Sequence, residues 1–376
     1  MKRYRVIIRG LAAWELELPA IPTRPVGRVR NARCRAHGVD PGNRNMTGKP
    51  QIVIPDDFPP AFHGQPELEL LRDIGELRIY GDRAGGRDQL LERIRDADFI
   101  VNVRAYTPLD HPTLEQLPRL RMIAVLGTGT DNVDLQAADR LGIVVTNAPG
   151  ANARSVTEHA IALMLAVARQ IPAHDRSLRA GEWRHYEGVE LDGKTLGVVG
   201  LGNIGRAVAM IGSALGMKVI GWSPTHDADR AARAGVSLVE FGELLRESDV
   251  ISLNVALSDK TRRLTGADEL AMMRRSAILI NTARGPLIDE QALIAALQQG
   301  LIRGAGLDVY ETEPLPPESH LLQLENVVLT PHSGWVTGEA SRRLLAMPVH
   351  NIAEFIAGRP VNVVNPAALN HPRQQR

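Results

Sequence analysis

The sequence predicts an α/β protein built on doubly wound parallel sheets, and three observations carry that expectation. Short apolar runs alternate with helix-patterned segments from Gln51 to Thr330, the order that crossover connections between parallel strands require. One of those runs, Leu196–Val199, leads straight into Gly200-x-Gly202-x-x-Gly205 and then a helix-prone segment, Arg206 to Leu215. The chain has 376 residues, enough for about two domains with sizeable cores.

Strand, glycine turn and helix in that order form a dinucleotide-binding fingerprint. Gly200 allows the tight turn, Gly202 lets the backbone approach a pyrophosphate, and Gly205 lets the helix pack on the strand. The helix start, with Asn203 and Ile204, offers free N–H groups and a partial positive charge to phosphates. A glycine-rich chain produces such spacing by chance as well. The clean strand before it and helix after it favour nucleotide binding over a structural turn.

Taken in order, the first strand is Gln51–Ile54, followed by a proline loop and a helix from Pro66 to Ile74. Leu77–Tyr80 reads as a strand, Gln89–Ile94 as part of a helix, and Phe99–Val103 as a buried strand. Another helix begins over Leu114–Leu117, then Met122–Val125 and Ile143–Thr146 are strands. Ala153–Arg169 carries Val156, Ala160, Ile161, Met164, Leu165 and Val167 on a helical period, and is long enough to bridge two domains. The second series has strands at Leu196–Val199, Lys218–Ile220, Val250–Leu253, Ala277–Ile280, Gly306–Val309 and Val327–Thr330. Gly338–Ile356 closes it as an amphipathic helix, with Pro348 inside it predicting a kink.

Composition excludes several function classes. A formal net charge of +1 gives no bulk field for nucleic acid or membrane. The single cysteine, Cys34, rules out an internal disulfide framework and any cysteine-based zinc site, and no metal is expected. No apolar run approaches a membrane span. Arg9, Glu15 and Glu17 interrupt the apolar region that a signal peptide needs, so the cytoplasm is the expected compartment. Residues 1–48 are rich in Arg, Pro, Gly and Asn and read as unpacked chain, either a disordered tail or an upstream extension. A basic nucleic-acid arm fits them less well, because the positive charges are scattered and stacking aromatics are nearly absent. Residues 1–45 are expected to be dispensable, since Met46 leads directly to the first strand.

Three late strands each deliver a chemical group to the edge where a ligand binds an open α/β sheet. Arg284 follows Ala277–Ile280 in Asn281-Thr282-Ala283-Arg284-Gly285, Glu313 lies beyond Gly306–Val309, and His332 follows Val327–Thr330. Their types fit carbonyl reduction. An Arg fork can hold a carboxylate and polarise a carbonyl. A His can give a proton to the alkoxide or remove it in reverse, and a carboxylate on its other ring nitrogen orients it. Singly, each has a plainer reading: Arg284 capping a helix or pairing with Asp289, Glu313 as one loop acid beside Glu311, His332 as a loop residue. Their joint placement with the glycine motif favours a catalytic group.

At these residues the chain resembles the D-isomer-specific 2-hydroxyacid dehydrogenase family, over residues 51–366. The matching stretches are Gly127-Thr-Gly-Thr-Asp-Asn-Val-Asp134, Leu196–Gly205, Ile280–Gly285, Gly306–Val309 through Glu313-Pro314, and Thr330-Pro-His332. The resemblance implies two Rossmann-like or flavodoxin-like domains with doubly wound parallel sheets, the nucleotide domain inserted into the substrate domain. It divides the chain into a substrate-binding domain of residues 49–150 and 336–366, an NAD(P)-binding domain of 151–335, and a tail of 367–376. It implies that Arg284 binds the substrate carboxylate and carbonyl, that His332 is the acid/base, and that Glu313 pairs with it. It also implies that Thr128 and Gly129 offer N–H groups to the carboxylate and that the loop carrying Arg104 covers the substrate. Trp335 is expected as a pocket wall or core contact. Ser223, Thr282, Ala283, Asp308 and Gly334 join the glycine motif on the NAD(H) or NADP(H) side, Asp308 near the nicotinamide carboxamide. The implied partner is a small 2-oxo or 2-hydroxy acid, and the implied assembly a homodimer.

Two departures touch the cofactor side. Ser223 stands where the family often has an acid, with Thr225, His226 and Arg230 close by and Asp227 or Asp229 as alternative ribose ligands. The loop Leu253-Asn254-Val-Ala256-Leu257 lacks the usual His and Pro. Cofactor preference therefore stays open. Glyoxylate or hydroxypyruvate reduction is the leading activity. A phosphoglycerate dehydrogenase is the alternative in the same class, with Arg104 as its phosphate candidate and no appended regulatory domain expected. Glu313 argues against formate oxidation, where the resembling branch has Gln. From another class, an NAD-sensing corepressor keeps the same triad and an aromatic like Trp335.

Overall fold

The structure, a computed structural model, describes residues 49–103, 107–225, 227–371 and 373. The expectations for residues 1–48, for Arg104 and its loop, and for His226 lie outside the described residues. Everything described belongs to one compact unit.

The first sheet contains β1 (Gln51–Ile54), β2 (Glu76–Ile79), β3 (Phe99–Asn102), β4 (Met122–Val125) and β5 (Val144–Thr146). Its order is β2-β1-β3-β4-β5, all parallel. This is the flavodoxin-like order, whose switch point lies between β1 and β3. The central strands β3 and β4 are buried along their whole length, which is why they read as unbroken apolar runs. The edge strand β2 alternates and turns Glu76 and Arg78 to solvent. Helices α1 (Glu67–Ile74), α2 (Arg87–Ile94), α3 (His111–Leu114) and α4 (Leu135–Leu141) supply the connections. The helix expected to begin over Leu114–Leu117 instead ends at Leu114. Asp110 caps its start by accepting the Thr113 N–H, and Leu117 precedes Pro118, which disfavours helical backbone there.

Two helices, α5 (Ala153–Ala168) and α6 (Ile171–Arg179), lead into the second sheet. Its strands are β6 (Thr195–Val199), β7 (Lys218–Trp222), β8 (Ser237–Leu238), β9 (Val250–Leu253), β10 (Ile278–Asn281), β11 (Gly304–Leu307) and β12 (Val327–Leu329). Their order is β12-β11-β10-β9-β6-β7-β8, again parallel, with the switch point between β6 and β9. The connecting helices are α7 (Asn203–Ala214), α8 (Ala228–Arg233), α9 (Phe241–Glu247), α10 (Ala267–Met272) and α11 (Glu290–Gln298). Several boundaries differ from the sequence reading. Helix α7 starts at Asn203, inside the glycine motif. Strand β11 starts at Gly304, because pairing with Ile278–Asn281 sets its register whatever its own propensity. The two-residue β8 is too short to show a period.

The apolar face of α5 packs on the second sheet, with Ala160, Leu163, Met164 and Val167 against Leu196, Val198, Ile278 and Ile280. The last helix, α12 (Gly338–Ile356), returns to the first, with Leu344, Leu345 and Ile352 among Ile52, Ile54, Val101 and Met122. It stays one helix through the buried Pro348. The stretch read as a tail, 367–376, overlaps a short turn. Residues 366–370 form a 3-10 turn on α4, where Ala368 is fully buried and its N–H donates to Asp139. Asn365 anchors that turn by accepting the Val145 N–H and donating to the Ile143 carbonyl. Among the described residues, no helix is long and apolar enough to cross a membrane.

Candidate active site

The glycine turn sits at the switch point of the second sheet. Gly200 has φ +95°, and a side chain there would meet the Asn254 carbonyl oxygen of the β9 loop at 2.7 Å. A Cβ on Gly205 would lie 1.9 Å from the Gly200 oxygen, so this helix-on-strand approach admits only glycine. Gly202 faces open space, and among the described residues no side chain caps the first turn of α7. Those N–H groups and that cradle fit a pyrophosphate. Asn203 does more than open the helix. Its Oδ1 accepts from Arg206 at 3.0 Å, and its Nδ2 lies beside Gly150, in the loop ahead of α5.

Arg284 leaves the end of β10 on a turn built by Asn281. The Asn281 side chain, fully buried, accepts the Ala283 N–H at 3.0 Å and donates to the Arg284 carbonyl at 2.8 Å. Arg284 does not pair with Asp289, which caps α11 by accepting the Ala292 N–H. Its Nε donates instead to Asp131, 3.1 and 3.2 Å from the two carboxylate oxygens, and one terminal nitrogen donates to the Ala283 carbonyl. The guanidinium reaches across to the 127–131 loop beyond β4. A Cβ on Gly129 would fall 1.9 Å from the other terminal nitrogen. Arg284 and Gly129 are therefore brought together. Thr128 is held beside them, its hydroxyl donating to the Ala148 carbonyl at 3.2 Å.

His332 and Glu313 meet as expected, with His332 Nδ1 2.7 Å from Glu313 Oε2. The other carboxylate oxygen accepts the Tyr310 N–H at 3.1 Å. The Tyr310 hydroxyl, buried and facing Asp308, donates to the Thr330 carbonyl at 2.9 Å. Burial, reinforced by the Asp308 charge, pushes that phenol well above its ordinary range, so it stays a donor.

Asp308, 2 % exposed, binds the loop that carries His332. Its carboxylate accepts the Thr330 hydroxyl at 2.6 Å, the Ser333 N–H at 2.8 Å and the Gly334 N–H at 2.9 Å. His159, on α5, adds its Nε2 at 3.2 Å. Burial alone would raise this carboxyl, but the hydrogen bonds from His159, Thr330, Gly334 and Ser333 outweigh it and hold the group below the usual carboxylate range.

Thr282 is buried, and Ala283 packs on the core beneath β10. Trp335 packs on the apolar cluster of the first sheet. Ser223 follows β7 and shares a 3.2 Å hydroxyl contact with Thr225. Asp227 caps α8 by accepting the Arg230 N–H and faces the Arg230 side chain. The sequence reading gave no role to Asp131, His159, Asn281 or Tyr310. Asp131 and Asn281 lay inside stretches already singled out, whereas a polar His159 on an apolar helix was the one signal passed over.

An imidazole oriented by a carboxylate, with a guanidinium on the same sheet edge and a glycine turn for a dinucleotide, can exchange a proton and stabilise a carboxylate during hydride transfer. The family model for the D-isomer specific 2-hydroxyacid dehydrogenase NAD binding domain matches residues 161–334. The chain is 43% identical over 79% of its length to the D-3-phosphoglycerate dehydrogenase of Methanocaldococcus jannaschii, but spans only 57% of that protein. It is 40% identical over 85% of its length to the glyoxylate reductase of Thermococcus litoralis, spanning 98% of it. The crystal structure of a glyoxylate reductase from Paecilomyes thermophila superposes with a TM-score of 0.76 at 34% identity, covering 85% of this chain and 99% of that one. With sequence, fold and motif order in agreement over nearly full-length relatives, this chain belongs to the D-isomer-specific 2-hydroxyacid dehydrogenases, oxidoreductases with an NAD-binding domain.

Proposed function

We propose that this protein reduces short 2-oxo acids to D-2-hydroxy acids, in the manner of a glyoxylate or hydroxypyruvate reductase, and catalyses the reverse oxidation. The observation that carries this reading is the 2.7 Å contact between His332 and Glu313 on the sheet edge that also holds Arg284. Arg284 binds the substrate carboxylate and polarises the carbonyl, with Asp131 fixing the guanidinium plane. The Thr128 and Gly129 N–H groups take the other carboxylate oxygen. The glycine turn would hold the dinucleotide, which would supply the hydride for the carbonyl carbon. His332 gives its proton to the resulting alkoxide, and Glu313 stabilises the imidazolium and sets its orientation. Asp308, Gly334, Thr282 and Ala283 would hold the nicotinamide side of the dinucleotide, and Ser223 would meet the adenosine ribose. Trp335 bounds the substrate side.

In this reading residues 49–150 and 336–366 bind substrate and residues 151–335 bind the dinucleotide, closing on one another to exclude water. The packing of α12 on the first sheet and α5 on the second supports that division. We also propose a homodimer in the cytoplasm. Trp183 is 82% exposed just beyond α6, with Ile171 and Leu178 exposed on that helix, an apolar surface suited to a second copy.

The test is a panel of glyoxylate, hydroxypyruvate, pyruvate and 3-phosphohydroxypyruvate with NADH and NADPH, for wild type and His332→Ala. Turnover of the unphosphorylated acids, lowered about 100- to 10,000-fold in the variant, supports the reading. Near-normal turnover by the variant overturns it. Strong preference for 3-phosphohydroxypyruvate moves the protein to the phosphoglycerate branch, which the Methanocaldococcus relative keeps in view.

A further inference from the structure

We propose that His159 is a positioning residue that holds His332 in place through Thr330 and Asp308; this rests on His332 being the proton carrier. Helix α5 turns an apolar face to the second sheet, yet at the strand ends it offers an imidazole that is 22% exposed. His159 Nε2 lies 2.8 Å from the Thr330 hydroxyl and 3.2 Å from Asp308 Oδ1.

The direction of these bonds follows from counting protons. An ionised carboxylate only accepts, and a hydroxyl has a single proton to give. Thr330 spends that proton on Asp308 at 2.6 Å, so towards His159 its oxygen can only accept. His159 Nε2 therefore carries a hydrogen and donates.

The clasp lies on both sides of His332. Thr330 precedes it, Ser333 and Gly334 follow it, and all three bind the Asp308 carboxylate. The His332 N–H itself donates to the Asp308 carbonyl at 2.8 Å. His332 has φ +50°, a left-handed conformation that a residue with a Cβ keeps only where its surroundings enforce it. Asp308 enforces it, and His159 is the part of the clasp that comes from another element. It ties the loop to α5, which starts just after the 147–152 connection between the two sheets. Without it, the loop loses its only described side-chain bond to that helix at Thr330, and the ring of His332 wanders relative to the substrate.

The test compares His159→Leu, His159→Gln and Thr330→Val in the full-length protein, with the 2-oxo acid turned over fastest in the panel. A Gln amide can still donate where Nε2 did, and Leu cannot. We expect His159→Leu and Thr330→Val each to lower kcat about 10- to 100-fold, the scale of a misplaced reacting group. KM and the NADH Kd should change less than about threefold, and His159→Gln should recover most of kcat. The double variant His159→Leu with Thr330→Val should be no slower than the slower single, because both break one clasp. Wild-type kcat in His159→Leu, or equal losses in the Leu and Gln variants, overturns the proposal. If His159→Leu does not fold, the Gln variant and Thr330→Val decide it by the same criterion: slow Thr330→Val with active His159→Gln upholds it, and any other pair overturns it. An inactive His332→Ala beside a normal His159→Leu removes this proposal alone, whereas an active His332→Ala removes the function on which it rests.

Discussion

Glu313 grips two partners at once: its Oε2 lies 2.7 Å from His332 Nδ1, and its Oε1 accepts the Tyr310 N–H at 3.1 Å. With both oxygens engaged the carboxylate cannot rotate, so the plane of the imidazole is set and Nε2 is the ring atom left for substrate. Glu313→Gln keeps a hydrogen-bonding group but removes the charge that stabilises an imidazolium. We expect kcat for oxidation to fall about 10- to 1,000-fold with little change in the NADH Kd. Steady-state kinetics and a cofactor titration check this, and an unchanged kcat would remove Glu313 from the chemistry.

Gly129 is the point where Arg284 crosses to the 127–131 loop. A methyl group there would overlap the guanidinium, 1.9 Å from a terminal nitrogen. Gly129→Ala should displace Arg284 and raise KM for the 2-oxo acid at least about tenfold, a loss of about 1.4 kcal/mol in binding, while NADH affinity holds. An unchanged KM would show that Arg284 does not hold the substrate in this pose.

Asp308 predicts a pH dependence of stability. Hydrogen bonds from His159, Thr330, Gly334 and Ser333 hold its carboxyl below the ordinary range against the opposing effect of burial. A carboxyl depressed by folding contributes stability above its unfolded value, about 3.9, and that contribution is lost as pH falls through the native value. Wild type should therefore lose melting temperature on acidification below about pH 4. Asp308→Asn should melt a few degrees lower at neutral pH and show a shallower acid decline. Melting curves between pH 3 and 7 check both slopes. Parallel curves would mean that Asp308 contributes nothing pH-dependent.

The cofactor corner predicts relaxed specificity. Asp227 caps α8 and faces Arg230, Asp229 is exposed on the first turn of that helix, and uncharged Ser223 directly follows β7. A serine can bond a ribose hydroxyl but repels no phosphate. NADH and NADPH should both support turnover, with kcat/KM within about a hundredfold of one another. Ser223→Asp should shift the preference strongly to NADH by adding the missing repulsion. Rejection of NADPH by several orders of magnitude in wild type would place the discrimination on another group.

Much of the architecture was legible because it is written in local pattern. Strands such as β3 and β4 are buried on both faces and so consist of continuous apolar residues, which cannot be mistaken for loop. Strand ends were less legible. β11 begins at Gly304 because Ile278 lies opposite it, and nothing in Gly-Ala-Gly favours a strand by itself. The 3-10 turn at 366–370 was missed for a related reason: its anchor, Asn365, bonds residues 143 and 145, far away in sequence.

The sequence by itself determined the order of strands and helices, the glycine turn, and the delivery of Arg284, Glu313 and His332 to one sheet edge. These follow from periodicity, glycine spacing and the rule that parallel strands all end on the same side. Only the tertiary structure decided who touches whom across that edge. Arg284 goes to Asp131 rather than Asp289, and His159 joins Thr330 and Asp308 from α5. Such contacts join residues up to 171 positions apart. Their geometry depends on how two sheets and a crossover helix pack, and no local pattern encodes that distance.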